Sequence, residues 1–398
     1  KLKELAQAAA DVGAERFVLD DGWFGARRSD QSGLGDWSVS QDVYPEGLEP
    51  LISHVTALGM AFGLWIEPEM VNADSDLFRT HPDWILALPG ARQIPSRHQF
   101  ALDMTRKEVS DYLFCQIDKL LSAHDISYLK WDMNRDIHHP ARDGRAVSSS
   151  YVRALYDLLD KLRAAHPGVE IESCASGGGR ADFGILQRTD RLWTSDSNDA
   201  LDRQAIQRGA SLFFPYRVLG SHVGPRECHI TGRNLSMELR VTSAFLGHFG
   251  LELDLASEDP DALEMLKAGI ALHKLHRALI HAGDAVRIDV GPEFNAMGVV
   301  ARDQSEALFT VVKLRSSPRS LPPRLIFSDL DQTRMYRLKL IWPTKMETPS
   351  NPSVIDLGEL QTKGLRASGD VLMSAGLQLP LMTAETGLIF YLEADGSA

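Results

Sequence analysis

The chain has 398 residues, a formal net charge of −12, 44% hydrophobic residues and 24% charged residues. This composition is ordinary for a globular protein that can bury one large core and a second, smaller one. The acidic balance, with no basic run, argues against a nucleic-acid or anionic-membrane partner. No stretch approaches the roughly 20 consecutive apolar residues of a membrane span.

The chain has only three cysteines, and they lie far apart: Cys115, Cys174 and Cys228. A small odd number of cysteines fits a reducing compartment, so we expect a cytoplasmic protein. Neither the cysteines nor the 13 histidines show metal-ligand spacing. We therefore predict no metal site.

Apolar residues recur at helical spacing over 1–12, and Gly13 supplies a stop. Apolar runs then alternate with helical patterns as far as residue 281. Seven runs are predicted as strands: 16–23, 61–69, 128–134, 169–176, 191–196, 213–223 and 249–255. The clearest helical patterns cover 48–58, 107–122, 151–166 and 261–281.

This alternation predicts a parallel α/β fold, either a doubly wound sheet or a (β/α)8 TIM-type barrel. The barrel is favoured because polar residues follow nearly every strand, and no GxGxxG motif follows the first. Seven strands are one short of eight, and the chain begins inside a helix. We therefore expect the first strand of the barrel to precede Lys1, and we assign residues 1–285 to a catalytic TIM-type barrel.

After residue 285 the helical periodicity stops, and short apolar runs alternate with turns that contain Pro and Gly. The runs at 307–313, 337–342 and 386–392 predict a small antiparallel β-sandwich domain over 286–398. The Ser- and Pro-rich stretch 316–323 is predicted as a loop inside this domain.

The apolar run at 128–134 ends in charge. Lys130 and Asp132 are two positions apart, so in an extended strand they point the same way. A nearby cation favours an ionised carboxylate, and an ionised carboxylate at a strand end can act as a nucleophile. The alternative is a purely structural ion pair.

The residues at the predicted strand ends combine carboxylates, one lysine, one arginine and a tryptophan. This mixture suits a neutral polyol such as a sugar, because charged groups bond hydroxyls and an indole face covers C–H surface. A phosphate bound by Gly177 to Gly179 is the alternative, but the nearby carboxylates would repel it. The set is Asp20, Asp21, Trp65, Glu67, Glu69, Arg97, Lys130, Asp132, Cys174 and Asp196.

Glycoside hydrolysis needs two carboxyl groups that flank the scissile bond. Asp132 is the candidate nucleophile. Asp196 is the candidate acid, since it follows Trp193 and an apolar surround favours the protonated form of a carboxyl. Asp199 and Asp202 are rivals, although Asp199 also fits the cap of a following helix.

Several other residues keep two interpretations. Asp20 and Asp21 either clamp substrate hydroxyls or cap the following loop. Glu67 and Glu69 either contact ligand or form ion pairs with arginines. Trp65 is either a sugar platform or part of the core. We expect Trp84, Trp131 and Trp342 to be packing residues.

Five motifs in order resemble the α-galactosidases of glycoside hydrolase family 36. They are LDDGWF (19–24), WIEPEMV (65–71), KWDMNR (130–135), ESCASGGGR (172–180) and WTSD (193–196). The resemblance runs from residue 1 to about residue 289.

The resemblance implies a retaining exo-α-galactosidase that acts on terminal α-1,6-galactosides such as melibiose and raffinose-type oligosaccharides, without metal or nucleotide. It implies that Asp132 is the nucleophile and Asp196 the acid/base. Asp20 and Asp21 match the pair that holds O4 and O6 of galactose. Further wall residues of the sugar site are implied at Trp65, Arg97, Lys130, Cys174 and Gly177.

The chain also departs from the family pattern, since residues 1–398 do not include the usual N-terminal β-domain and first barrel strand. That domain helps many relatives to form a tetramer, so we expect a homo-oligomer in the full-length parent. The partner is then a small oligosaccharide substrate. The alternatives are a related α-galactosyl transferase, an α-N-acetylgalactosaminidase and a non-catalytic sugar-binding fragment.

Overall fold

The protein was analysed as a computed structural model that describes residues 1–88, 90–344 and 355–396. The chain divides into two compact units, Lys1–Asp196 and Ser197–Ala398. Among the described residues, no helix has both the length and the apolar character that crossing a membrane requires.

Five parallel strands form the sheet of the first unit, and their order in the sheet is their order along the chain. Gly63 lies opposite Tyr128, and a Cβ at Gly63 would stand 2.9 Å from the tyrosine ring. The absence of a side chain therefore lets these two strands pack closely. The strands are β1 Arg16–Leu19, β2 Ala61–Ile66, β3 Tyr128–Trp131, β4 Glu170–Ser173 and β5 Arg191–Leu192.

Amphipathic helices connect these strands, as the periodicity predicts. The helix Lys107–Ala123 buries Val109, Leu113 and Ile117 on one face. The first helix ends where Gly13 adopts the left-handed conformation, with φ 99°. The α-helices of the first unit are Leu2–Val12, Glu49–Ala57, Asp76–Thr80, Lys107–Ala123, Ser148–Ala165 and Phe183–Leu186, and Pro82–Trp84 is a 3-10 turn.

The second unit begins with two more parallel strands, β6 Gly220–Val223 and β7 His248–Leu251, which pair with each other. All seven predicted strands are therefore present, and the mixed α/β class is confirmed. The sixth begins seven residues later than predicted, because residues 213–219 form turns and a 3-10 helix around Pro215. Proline has no N–H for a strand ladder.

Helices of the second unit follow the same pattern, and the long helix predicted at 261–281 spans Pro260–Ala282. The α-helices are Asp202–Ala210, Met237–Ala244, Pro260–Ala282, Leu357–Thr362 and Gly369–Ser374, with 3-10 turns at Tyr216–Val218 and Leu255–Ser257.

The C-terminal part of the second unit is a six-stranded antiparallel sheet, which confirms the predicted antiparallel β region. Its order is β8-β9-β10-β13-β11-β12. Residues 316–323 form a loop, as predicted. The strands are β8 Asp284–Ile288, β9 Phe294–Val300, β10 Glu306–Lys313, β11 Met335–Trp342, β12 Leu365–Ser368 and β13 Thr386–Ala394.

The strands of this sheet differ in burial. The β9 strand is buried at every position, whereas β11 alternates between buried and more exposed residues. Phe309 and Leu338 belong to a large core on one face, and Val312 packs with Leu239 on the other. Among the described residues, the second sheet of this region has two strands, Arg324–Leu325 and Leu377–Gln378, so the sandwich itself stays a prediction.

Two further short ribbons occur in the first unit. They pair Met70–Asn72 with Gln99–Ala101, and Ala141–Arg142 with Arg145–Ala146.

Candidate active site

The predicted polar residues lie where the parallel strands of the first unit end. Asp20 follows β1, Glu67 follows β2, Asp132 follows β3 and Cys174 follows β4, each as the next residue along the chain. The carboxyl ends of parallel strands meet at one edge of a sheet. The structure therefore brings these side chains to a common edge.

Asp132 is buried, with 6% of its surface exposed. Its Oδ2 accepts the indole N–H of Trp65 at 3.0 Å and the side-chain amide of Asn134 at 2.6 Å. Its Oδ1 accepts the backbone N–H of Met133 at 2.8 Å. Three N–H donors thus fix the orientation of the carboxyl group, and Oδ1 keeps the greater free acceptor capacity.

Trp65 contributes its indole N–H to Asp132, but it does not expose its ring face as a sugar platform would. Only 3% of its surface is exposed, and its ring stacks on Phe24 with centroids 6.2 Å apart. The ring of Trp65 is therefore part of the core, as one of the two interpretations predicted. Its indole N–H is part of the candidate site. Trp84, Trp131 and Trp342 are buried, as predicted for packing residues.

Lys130 forms its ion pair with Asp20, not with Asp132 as expected from their spacing (Nζ to Oδ2, 3.1 Å). The lysine reaches across the end of β2, which separates β1 from β3 in the sheet. Burial is the largest single influence and would lower the pKa of Lys130, but the effects of Asp20, followed by those of Cys174 and Glu172, together raise it above its ordinary value. The ammonium also lies 5.0 Å from the centroid of the Trp193 ring.

Asp21 forms a bidentate ion pair with Arg27, with Nη2 2.7 Å and Nε 3.0 Å from the carboxylate. Arg27 is buried and also donates to the side-chain oxygen of Asn72. Asp20 accepts the backbone N–H of Asp21, and Gly22 turns the chain with φ 99°. Both carboxylates therefore have fixed positions and exposed surface, which suits them to bind hydroxyl groups.

Cys174 is buried, and both candidate catalytic acids affect the pKa of its thiol. Burial raises the pKa of this thiol well above its ordinary value, and the carboxylates of Asp132 and Asp196 both add to the rise. Lys130 and the N–H of Gly177, which donates to the sulfur at 3.4 Å, oppose the shift.

The glycine triplet supports the segment that carries Asp196. Gly177 has φ 89°, and a Cβ there would stand 2.7 Å from the Cα of Ser195. A Cβ at Gly178 would stand 3.0 Å from the carbonyl oxygen of Thr194. Only glycine permits this approach of two backbone segments.

The glycine triplet is poorly suited to bind a phosphate, which the sequence left open as an alternative. The N–H of Gly177 donates to Cys174, and the N–H of Gly179 donates to the carbonyl oxygen of Ala175. These donors are therefore used within the loop.

Asp196 is exposed, and its Oδ1 accepts the indole N–H of Trp193 at 2.8 Å. The predicted apolar environment of this carboxyl group is therefore not found, because the group faces solvent. Its exposure leaves it open to a ligand.

Glu67 and Glu69 are both buried, but their partners differ. Glu69 pairs with Arg180 at 2.6 Å and accepts hydrogen bonds from Trp131 and Tyr151, so the ion-pair interpretation holds for it. Glu67 accepts hydrogen bonds from the backbone N–H of Asn134 and from the Gln99 amide. Burial, followed by the charge of Asp132, raises the pKa of Glu67 to about 8.

Arg97 is exposed and has a left-handed backbone with φ 50°. Its charge lowers the pKa of Glu67, against the larger effect of burial. In the described ranges, no group of three or more His, Cys, Asp or Glu side chains is placed to hold a metal ion.

In the second unit, the rival acid Asp199 is fully buried. Its Oδ1 accepts the backbone N–H groups of Leu201 and Asp202 at the start of a helix, as the capping interpretation predicts. Burial acts to raise the pKa of Asp199, but the hydrogen bonds from Thr231 and the backbone, with the charge of Arg233, lower it overall. A carboxyl held ionised in this way is a poor general acid. Asp202 is also paired with Arg233.

Sequence reasoning overlooked three residues of the site: Asn134, Arg27 and Gln99. Asn134 had a signal, since it lies two positions after Asp132 and therefore points the same way in an extended segment. Arg27 and Gln99 lie in loops without periodicity, so nothing local in the sequence indicates their partners.

Two models of known protein families match most of this chain. Residues 1–283 match the family model Melibiase, and residues 295–392 match the glycosyl hydrolase family 36 C-terminal domain. The chain is 44% identical over 395 residues to an Escherichia coli protein named alpha-galactosidase, covering 98% of this chain and 56% of that protein. It is 36% identical over 393 residues to alpha-galactosidase AgaA of Geobacillus stearothermophilus, covering 97% and 51%.

Solved structures give the same result. The galactosidase domain of alpha-galactosidase-sucrose kinase AgaSK superposes with a TM-score of 0.89 at 36% identity, over 99% of this chain and 52% of that one. A variant of Geobacillus stearothermophilus AgaA in complex with raffinose has a TM-score of 0.89 at 33% identity, over 99% and 53%. The chain spans about half the length of the relatives that it matches. The chain therefore belongs to the melibiase family, the α-galactosidases of glycoside hydrolase family 36.

Proposed function

We propose that this chain carries the catalytic site of a retaining exo-α-galactosidase, which removes terminal α-1,6-linked galactose from melibiose and raffinose-type oligosaccharides. One observation carries the proposal: Asp132 and Cys174 follow neighbouring strands, and the loop after Cys174 lies against the segment of Asp196, where a Cβ at Gly177 would stand 2.7 Å from the Cα of Ser195. Two carboxyl groups around one small region are what glycoside hydrolysis requires.

In the proposed reaction, Asp132 attacks the anomeric carbon while Asp196 donates its proton to the leaving glycosidic oxygen. The C1–O bond breaks, and an ester forms between C1 and Asp132. Asp196 then takes a proton from water, water attacks C1, and the ester breaks to release galactose and the Asp132 carboxylate. The Oδ1 atom of Asp132 is the attacking oxygen, since it accepts one hydrogen bond where Oδ2 accepts two.

The remaining residues hold the sugar. The fixed and exposed carboxylates of Asp20 and Asp21 accept hydroxyl protons, and Lys130 donates from beside Asp20. Further walls of the sugar site are assigned to Trp65, Arg97, Cys174 and Gly177.

The substrate class rests on relatives whose structures hold such sugars. Variants of Geobacillus stearothermophilus AgaA have been solved with raffinose and with stachyose. A related α-galactosyl transferase and an α-N-acetylgalactosaminidase are the alternative enzymes, and a sugar-binding fragment is the non-catalytic alternative. The second carboxyl group favours an enzyme, because a sugar-binding protein has no need of a second carboxyl group.

The finer architecture belongs to the same proposal. The sequential parallel pairing of β1 to β5, and of β6 with β7, supports a (β/α)8 TIM-type barrel over residues 1–285. Residues 286–398 would form a β-sandwich domain, and the parent protein would be a cytoplasmic homo-oligomer. The three cysteines are free thiols, as a cytoplasmic location favours.

Hydrolysis of p-nitrophenyl α-galactoside tests the activity, and proton NMR of the first galactose released tests the stereochemistry. We expect α-galactose as the first product, before mutarotation. If β-galactose is released first, the enzyme inverts and the covalent intermediate is excluded. If no galactose is released while galactose still binds, the non-catalytic alternative is correct.

A further inference from the structure

Glu67 is the buried carboxyl group of this site for which the proposed reaction has no use. It follows β2 directly, at the sheet edge that bears Asp132, and 1% of its surface is exposed. Both of its hydrogen-bonding partners are neutral: the backbone N–H of Asn134 at Oε1 and the Gln99 amide at Oε2, 3.1 Å away. Within the described residues it has no ion pair, whereas Glu69, two positions later, is paired with Arg180.

Asn134 connects Glu67 to the proposed nucleophile. Its backbone N–H is bound by Glu67, and its side-chain amide donates to Asp132. The hydroxyl of Ser176 donates to the side-chain oxygen of Asn134 at 3.1 Å, which turns the NH2 group towards Asp132. Any movement of Glu67 therefore moves the group that orients the nucleophile.

We propose that Glu67 is a positioning residue of this site and that it acts as a neutral carboxylic acid, holding Asn134 against Asp132 without adding a second negative charge there. The inference rests on the proposed galactosidase function. It gives Glu67 a role that neither direct contact with substrate nor an ion pair supplies.

The surroundings of Glu67 favour the neutral form. The charged groups that act on it are Asp132, beyond the end of β3, and Arg97, in the loop before Gln99. Burial, followed by the charge of Asp132, raises the pKa of Glu67, whereas the hydrogen bonds from Asn134 and the charge of Arg97 oppose the rise. The balance of these effects is a pKa of about 8. Glu67 is therefore protonated at neutral pH.

The amide of Gln99 can also accept this proton. Its Oε1 is buried and has no hydrogen-bond partner among the described residues. Rotation of the amide by half a turn would present this oxygen to the carboxyl O–H, because either end of an amide can face a hydrogen-bonding partner.

The proton on Glu67 matters most when the ester is hydrolysed. Formation of the galactosyl ester removes the negative charge of Asp132, and hydrolysis restores it. An ionised Glu67 would oppose this restoration, since like charges in a buried region repel. We therefore expect turnover to decline as the pH rises through about 8, the pKa of Glu67.

The test compares Glu67→Ala, Glu67→Gln and the control Glu69→Gln, with an aryl α-galactoside whose leaving group needs no proton. Glu67→Ala is expected to lower kcat/KM at neutral pH by about a hundredfold, as a displaced catalytic group does. Glu67→Gln should keep most of the wild-type kcat/KM, because its amide oxygen still accepts the hydrogen bond from Asn134. It should also move the alkaline limb of kcat to higher pH. Glu69→Gln removes the partner of Arg180 and leaves the position of the limb unchanged.

Two results would overturn the inference: Glu67→Gln as impaired as Glu67→Ala, or an alkaline limb that stays in place in Glu67→Gln. Thermal melting of each variant identifies any that is simply unfolded, and Glu67→Gln then carries the test alone.

Difference infrared titration separates this inference from the proposed function. We expect a protonated carboxyl band that disappears near pH 8 in the wild type and is absent from Glu67→Gln. If the band appears but no galactoside is hydrolysed, the proposed function fails and the neutral carboxyl stands. If galactosides are hydrolysed but the band is absent at neutral pH, the inference fails and the function stands.

Discussion

The parallel strands of the first unit and the antiparallel sheet of the second use buried positions differently. The β2 and β3 strands are followed directly by the buried carboxyl groups of Glu67 and Asp132. In the antiparallel sheet, the strands carry apolar side chains such as Phe309 and Val311 through the core with no exposed surface. Buried carboxyls need dedicated N–H donors, whereas apolar side chains need only close packing.

Because of this difference, substitutions in the two regions should affect different quantities, the catalytic rate in one and the free energy of unfolding in the other. Changes at the strand ends should alter the chemical step and leave the fold largely intact, because the backbone of the sheet does not depend on those side chains. Changes in the antiparallel sheet should alter the free energy of unfolding and leave the rate per folded molecule unchanged.

The strongest test of this separation is Asp132→Asn. Removal of the nucleophilic oxygen should reduce kcat by on the order of 10⁴-fold or more, as loss of a nucleophile does in other covalent mechanisms. Galactose binding, measured by calorimetry, should remain close to that of the wild type. Near-normal turnover would show that another residue forms the bond to the sugar.

Asp196→Asn should have a large effect that depends on the leaving group. A general acid contributes about 10²- to 10⁴-fold, so hydrolysis of melibiose should fall by that amount, and hydrolysis of activated aryl galactosides much less. The ratio of the two rates measures the effect, with wild type as the control. Equal losses for both substrates would contradict the acid role.

Phe309→Ala tests the other side of the comparison. Phe309 is fully buried and its ring centroid lies 5.0 Å from that of Phe327, so its truncation should destabilise the fold by about 3–5 kcal/mol. Urea unfolding measures the loss, and active-site titration gives the rate per folded molecule. A large fall in that rate would show that the two regions are coupled.

The smallest effect is the pH dependence of stability at Glu67. Its pKa is raised from 4.5 to about 8, so its contribution to stability is complete below pH 4.5 and is lost as the pH rises to about 8. Glutamine does not titrate, so Glu67→Gln should not show this loss. The melting temperature of Glu67→Gln minus that of the wild type should therefore increase between pH 4.5 and about 8. Parallel melting curves over the whole range would contradict the raised pKa.

The sequence predicts the strand ends well because parallel strands place their following residues at one edge, whatever the loops do. It also indicates the helix cap at Asp199, which is a local interaction. It does not predict the pairing of Lys130 with Asp20, because that contact crosses an intervening strand. The raised pKa of Glu67 is also not predictable from the sequence, since it depends on burial by distant segments.

The close approach of Gly177 to Ser195 has a practical consequence for enzyme engineering. Residue 177 determines how far the backbone that bears Asp196 stands from the Cys174 loop. A side chain there would act as a spacer that displaces Asp196, the proposed proton donor. An engineer who wishes to change proton donation could therefore vary one backbone distance.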